Sequence, residues 1–147
     1  MPEKIILLVD DNENDLLLNQ RALKKANIQS EVLSVSGGQE ALNYLFCERN
    51  DPKCFLKQIP SVVCLDLKMP KVDGFEVLKQ IRANPRTKYL PVVILTASRE
   101  ESDIERAYTE GCNAYVVKSV DFKQLAETLK QLGDFWIGLN EPPILIT

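Results

Sequence analysis

The chain has 147 residues, which suits one domain, with 45% apolar and 27% charged residues, both ordinary for a globular protein. Its formal net charge of -3 gives no electrostatic reason to bind nucleic acid, and no apolar run approaches the roughly 20 residues that span a bilayer. Histidine is absent, which excludes Ser-His and Cys-His nucleophile pairs, His-ligated zinc and a phosphohistidine of the chain's own.

Met1-Pro2-Glu3-Lys4 lacks a signal-peptide pattern and leads into the apolar run Ile5-Ile6-Leu7-Leu8-Val9, which closes on Asp10-Asp11. A cytoplasmic protein is expected, with Cys47, Cys54, Cys64 and Cys112 reduced, because no C-x-x-C spacing joins them. Asn12 can cap a first helix ending by Asn27, with Asp15 at a capping-box-like offset and Leu16, Leu17 and Leu23 expected to face a sheet. Val32 to Val35 alternates as an edge strand does, and Gly37-Gly38 breaks it before a helix near Gln39 to Phe46. Glu48 to Pro60 is a long polar connection with Asp51-Pro52 as a turn signal.

Val62-Val63-Cys64-Leu65 then closes on Asp66, and a helix near Phe75 to Ala83 stops before Asn84-Pro85. Val92-Val93-Ile94-Leu95 closes on Thr96, and a helix near Glu100 to Glu110 stops at Gly111. Ala114-Tyr115-Val116-Val117 closes on Lys118, and a fifth helix near Phe122 to Leu132 stops at Gly133, leaving an apolar tail from Asp134 to Thr147. Strand and helix patterns alternate five times, which argues an α/β fold: a parallel sheet with helices on both faces. In such a sheet, ligand sites lie outside the carboxyl ends of the strands. Asp10, Asp11, Asp66, Thr96 and Lys118 therefore meet at one sheet edge.

That set has a definite chemistry. Three like charges raise one another's pKa, and a hard divalent cation relieves the repulsion. Oxygen ligands without His or Cys suit Mg²⁺ far better than zinc. A carboxylate beside Mg²⁺ can attack phosphorus and become an aspartyl phosphate. Asp66 is the best nucleophile candidate because it alone ends what should be the central strand, with Asp10 and Asp11 as the metal pair. The Lys68 backbone carbonyl can add one more oxygen. Lys118 can pair with a phosphoryl oxygen and Thr96 can hydrogen-bond another. Taken singly, each also has a bland role: helix cap for Asp10-Asp11-Asn12, strand end for Thr96, surface lysine for Lys118. Lys71, Asp73 and Asp103 read as solvated charges.

Leu8-Val9-Asp10-Asp11, Leu65-Asp66-Leu67-Lys68-Met69-Pro70 with Asp73-Gly74, Leu95-Thr96-Ala97 and Val117-Lys118 together resemble the receiver domain of two-component response regulators, over roughly residues 4 to 132. The resemblance implies a flavodoxin-like (βα)5 fold with a five-stranded parallel sheet of order 2-1-3-4-5. It implies a receiver domain over residues 1 to 133, an apolar extension over 134 to 147 and no output domain. It also implies that Asp66 accepts phosphoryl from a sensor histidine kinase, that Asp10 and Asp11 bind Mg²⁺, and that Thr96 and Lys118 contact the phosphoryl group. Thr96 and Tyr115 would form the switch; the bland alternative for Tyr115 is a half-buried strand aromatic. Such a protein is a phosphoacceptor that assists its own phosphorylation, not an enzyme acting on a separate substrate.

One departure is Lys118-Ser119, where the family usually has Lys-Pro with a cis bond; a trans bond is expected here. Ser119 and Asp134-Phe135-Trp136 are similar to small stand-alone regulators that partner bacterial phytochromes, which implies such a kinase and, with the apolar tail, a homodimer. Three other readings compete. An aspartate-nucleophile phosphatase would need D-x-D after the first strand. A flavodoxin would need a Ser/Thr/Gly phosphate loop in place of Asp10-Asp11. A scaffold that has lost phosphorylation would not need five intact site residues.

Overall fold

The computed structural model describes residues 4–26, 30–47 and 59–143. Five strands, β1 (Ile5–Val9), β2 (Glu31–Val35), β3 (Val62–Leu65), β4 (Val92–Thr96) and β5 (Ala114–Val117), form one sheet. All pairs are parallel, in the order β2-β1-β3-β4-β5. This is the expected flavodoxin-like topology. The three inner strands are buried at every residue, whereas edge strand β2 is partly exposed and β5 is half-buried throughout. Continuous apolar runs belong where both faces of a strand are covered.

Five helices cover the sheet: α1 (Glu13–Lys25), α2 (Gly38–Leu45), α3 (Gly74–Ala83), α4 (Glu101–Glu110) and α5 (Phe122–Gly133). Alternate strand residues feed two cores. Leu7, Val9, Val63, Leu65 and Ile94 pack with Ala41, Leu42 and Leu45 of α2, Phe75, Leu78 and Ile81 of α3, and Ala107 of α4. Ile6, Leu8, Cys64, Val93 and Leu95 pack with Leu16 and Leu23 of α1 and Leu125, Leu129 and Leu132 of α5. Asn12 caps α1 by accepting the Asp15 N–H, as the sequence predicts. Gly111 ends α4 in the left-handed region at φ 104, which a side chain would resist. Below the sheet, Arg82 of α3 donates to the carbonyls of Gly111, Lys88 and Leu90 and to the side chain of Asn113. It ties α3 to the starts of β4 and β5.

Three expectations need correction. Leu17 is 47% exposed and does not face the sheet, because the buried stripe of α1 runs through Leu16, Asn19, Ala22 and Leu23. The helical path does not stop after α5: Gly133 keeps right-handed helical angles, and a π-helical segment, Asp134–Leu139, continues from it. The Asn140 N–H closes that segment on the Phe135 carbonyl at 2.6 Å. Ile137 is buried against the α1–α5 core and its carbonyl accepts from Lys4 Nζ at 2.7 Å. Cys47 is disulfide-bonded, whereas Cys64 and Cys112 are free, as expected, and both are buried. Spacing in the chain does not decide such a bond; the approach of Cβ atoms in the fold does. The Asp51-Pro52 turn, Cys54 and the end of the apolar tail lie outside the described residues. Among the described residues, no helix is long and apolar enough to cross a membrane.

Candidate functional site

Register builds the site. Val9 pairs with Leu65, Leu65 with Ile94, and Thr96 with Val117. The residues just past these pairs are therefore neighbours across the sheet edge. The Asp66 N–H donates to the Val9 carbonyl at 3.0 Å, and the Lys118 N–H to the Thr96 carbonyl at 2.7 Å. Asp10, Asp66 and Thr96 are buried, while Asp11 is exposed. Carboxylate oxygens of Asp10, Asp11 and Asp66 lie within 4.8 Å of one another.

Each acidic group is held differently. Asp10 Oδ1 accepts the Asn12 N–H at 3.0 Å, and its Oδ2 accepts from Lys118 Nζ at 2.6 Å. Asp66 Oδ1 accepts the Leu67 N–H at 2.9 Å, and its Oδ2 lies 3.9 Å from Lys118 Nζ. One Asp66 oxygen is thus fixed by backbone and the other faces the cluster. Asp15, on α1, adds a contact to Lys118 at 3.4 Å, one that spacing did not announce. Burial pushes the Asp66 carboxyl above its ordinary range, Lys118 pulls it back and Asp10 pushes it further. Burial alone would lower Lys118, but its hydrogen bond to Asp10 and the charges of Asp66, Asp10 and Asp15 lift it above an ordinary lysine.

The loop after Asp66 is tightly supported. The Gly74 N–H, at the start of α3, donates to the Leu67 carbonyl at 3.0 Å. A Cβ on Gly74 would sit 2.1 Å from the Asp66 carbonyl oxygen and 2.8 Å from Leu67 Cα. Only glycine lets α3 begin there. Asp73, read from sequence as a solvated charge, caps α3 by accepting the Glu76 N–H. Lys71 has φ 66 and is exposed.

Asp103 is a second correction of that kind. It is 8% exposed, and its Oδ2 accepts from Ser98 Oγ at 2.6 Å and pairs with Lys68 Nζ at 3.1 Å. An acidic residue in the first turn of a helix looks solvated in sequence; its cover comes from two loops that only the fold brings together. Tyr115 is half-buried, with its hydroxyl donating to the Ser98 carbonyl at 3.0 Å. The Lys118–Ser119 bond is trans, as expected. Ser119 donates to Gln124 and accepts the Asp121 N–H, shaping the turn into α5.

The donor set fits a hard cation. It is all oxygen, it includes a buried carboxylate and an exposed one, and the Lys118 ammonium offsets only part of its negative charge. With a cation held there, the Asp66 oxygen near Lys118 stands where an incoming phosphoryl group would meet two positive charges.

The family model for the response regulator receiver domain matches residues 6–130. The chain is 37% identical over 139 residues to the probable methanogenesis regulatory protein FilR2 of Methanothrix harundinacea, covering 95% of this chain and 87% of that one. It is also 37% identical to response regulator Rcp1 of Synechocystis, covering 92% and 90%. Its structure is similar to that of the phosphorylated cyanobacterial phytochrome response regulator RcpA, with a TM-score of 0.87, 37% identity, and coverage of 97% and 100%. It is similar as well to the Mn²⁺-bound form of Rcp1, with a TM-score of 0.85, 34% identity, and coverage of 97% and 100%.

Proposed function

The chain belongs to the response regulator receiver domain family of two-component signalling, and from that premise we propose that Asp66 is its phosphoacceptor. The observation that carries this reading is the meeting around the Asp66 carboxylate of a lysine ammonium, 3.9 Å from its Oδ2, and two further carboxylates. The phosphodonor is a sensor histidine kinase. Asp66 Oδ2 attacks phosphorus in line, the P–N bond to the kinase histidine breaks, and the acyl phosphate forms. Lys118 turns from Asp10 toward a phosphoryl oxygen, and the Thr96 hydroxyl hydrogen-bonds another. Asp10, Asp11, Asp66 and the Lys68 carbonyl would hold Mg²⁺, which when bound would neutralise charge on the phosphoryl oxygens. The existence of a Mn²⁺-bound form of the similar regulator Rcp1 supports a divalent cation here.

The same reading assigns the switch. Thr96 moves inward on phosphorylation, and Tyr115 leaves its bond to Ser98 and rotates toward the space vacated. The kinase is a bacterial phytochrome, a reading supported by the likeness to RcpA, and the protein works in the cytoplasm. Two copies pair through α4, β5, α5 and the segment after it. Tyr108, Phe122, Phe135 and Leu139 leave apolar surface exposed on those elements.

Incubation with Mg²⁺ and a small-molecule phosphodonor, followed by intact-mass measurement, tests the acceptor. One phosphoryl group should add to the wild type and none to Asp66→Asn. Labelling of that variant to the same extent would reject Asp66.

A further inference from the structure

Lys68 and Ser98 each lie two residues past a site residue, Asp66 and Thr96, on separate loops. Both reach the same atom. Asp103 Oδ2 accepts from Ser98 Oγ at 2.6 Å and pairs with Lys68 Nζ at 3.1 Å. These bonds and neighbouring charges hold the Asp103 carboxyl below its ordinary range, against a contribution from burial. Ser98 is engaged on every side: its N–H lies 3.5 Å from Thr96 Oγ1, its carbonyl accepts from Tyr115, and its hydroxyl accepts the Glu100 N–H at 3.3 Å.

We propose that Asp103 is a positioning residue that clamps the Asp66 loop to the Thr96 loop and holds the site in its unphosphorylated geometry. This rests on the reading of Asp66 as phosphoacceptor. Drawing Thr96 toward a phosphoryl oxygen pulls Ser98, its near neighbour, away from Asp103. Breaking that bond, while Lys68 stays on the carboxylate, opposes the motion. The clamp therefore lowers the phosphorylated fraction at a given donor concentration. A bland role exists beside it: the Ser98 hydroxyl could serve α4 alone, since the cap residue Glu100 makes no side-chain cap bond. Such a role has no use for Lys68, whose side chain is 61% exposed and whose loss should not unfold the protein.

The test uses Lys68→Met, Ser98→Ala, Asp103→Ala and the two doubles that include Asp103, all in the full chain. Initial phosphoryl incorporation from a small-molecule donor with Mg²⁺ should rise about fivefold in Asp103→Ala. It should rise in both other singles, and neither double should exceed Asp103→Ala. Hydrogen exchange at residues 97–100 of the unphosphorylated proteins should quicken in the same three singles. Unchanged incorporation in Lys68→Met, or additive doubles, overturns the clamp, as does unchanged exchange. If Asp103→Ala fails to fold, Lys68→Met and Ser98→Ala decide the matter. If no protein incorporates phosphoryl, including the wild type, the acceptor reading has failed, and exchange at residues 97–100 alone decides whether Asp103 clamps the loops.

Discussion

Lys118 leans on Asp10: its Nζ lies 2.6 Å from Asp10 Oδ2 and 3.9 Å from Asp66 Oδ2. It is the cation that bridges two of the three clustered carboxylates, Asp10 and Asp66, when no metal is bound. Lys118→Met should lower stability in chelator by about 2 kcal/mol, below the range for fully buried pairs because the cluster is open to water at Asp11. Saturating Mg²⁺ should raise the melting temperature of this variant more than that of the wild type, since the ion takes over the compensating charge. Calorimetry with and without Mg²⁺ measures both. The lysine's raised pKa sets the sign with pH: its contribution is full below the ordinary lysine range and is lost as pH rises through the lifted value. Equal metal-induced shifts in the two proteins would count against this account.

Asp66 carries the opposite sign. Its carboxyl is raised, chiefly by burial, so the folded state binds its proton more tightly than the unfolded chain does. Stability then falls as pH rises from the ordinary carboxylate range through the raised value. Asp66→Asn should therefore be more stable than the wild type at neutral pH in chelator, by about 1 kcal/mol, or about 3 °C in melting temperature. The gain should vanish below the ordinary carboxylate range. Urea denaturation of both proteins across pH reads it directly; a gain that persists in acid would have another origin.

Gly74→Ala should be severe for its size. The added methyl meets backbone atoms of Asp66 and Leu67, which cannot rotate aside. A loss of about 3 kcal/mol is expected, together with weaker Mg²⁺ binding, because the displaced atoms carry the acceptor. Gly138→Ala is the control, since its added methyl would meet nothing within 4 Å. Chemical denaturation and calorimetric titration of the two variants separate local crowding from general helix effects.

Arg82→Lys should destabilise without touching the site. The guanidinium serves three carbonyls and the Asn113 side chain in one plane, and an ammonium cannot reproduce that fork. About 2 kcal/mol should be lost, with Mg²⁺ affinity unchanged. A metal affinity that falls in step with stability would show that the lower edge of the sheet is coupled to the upper one.

Self-association can be read by sedimentation at micromolar concentration. A dimer is expected for the wild type, and Phe135→Ser with Leu139→Ser should shift it to monomer. Both side chains are well exposed, so the monomer itself should keep its melting temperature. Monomer alone in the wild type removes the pairing.

The strands and the charged residues that end them were legible because a strand buried on both faces must be a continuous apolar run, and the break in apolarity marks the sheet edge. Glycine was harder. Gly111 and Gly133 both follow helical spacing, yet only Gly111 turns left-handed. Gly133 stays helical, and Ile137 and Trp136 beyond it pack on the α1–α5 core, a tertiary contact that spacing does not encode. Asp103 was missed for a related reason. Its partners Lys68 and Ser98 come from two other segments, and nothing local distinguishes it from Glu101 or Glu105.

The strand order has a consequence for how the protein comes into being. β1 is the second strand in the sheet but the first in the chain, and α1 beside it packs on α5. Emerging from a ribosome, the first half of the chain can pair β1 with β2 and lay α1 on them, yet the side of α1 that meets α5 stays bare until that helix is made. Contacts so distant in sequence close late. The acidic cluster is complete once Asp66 has been synthesised, but its lysine arrives some fifty residues later. Until then Asp10 and Asp66 lack the ammonium that bridges them in the folded protein.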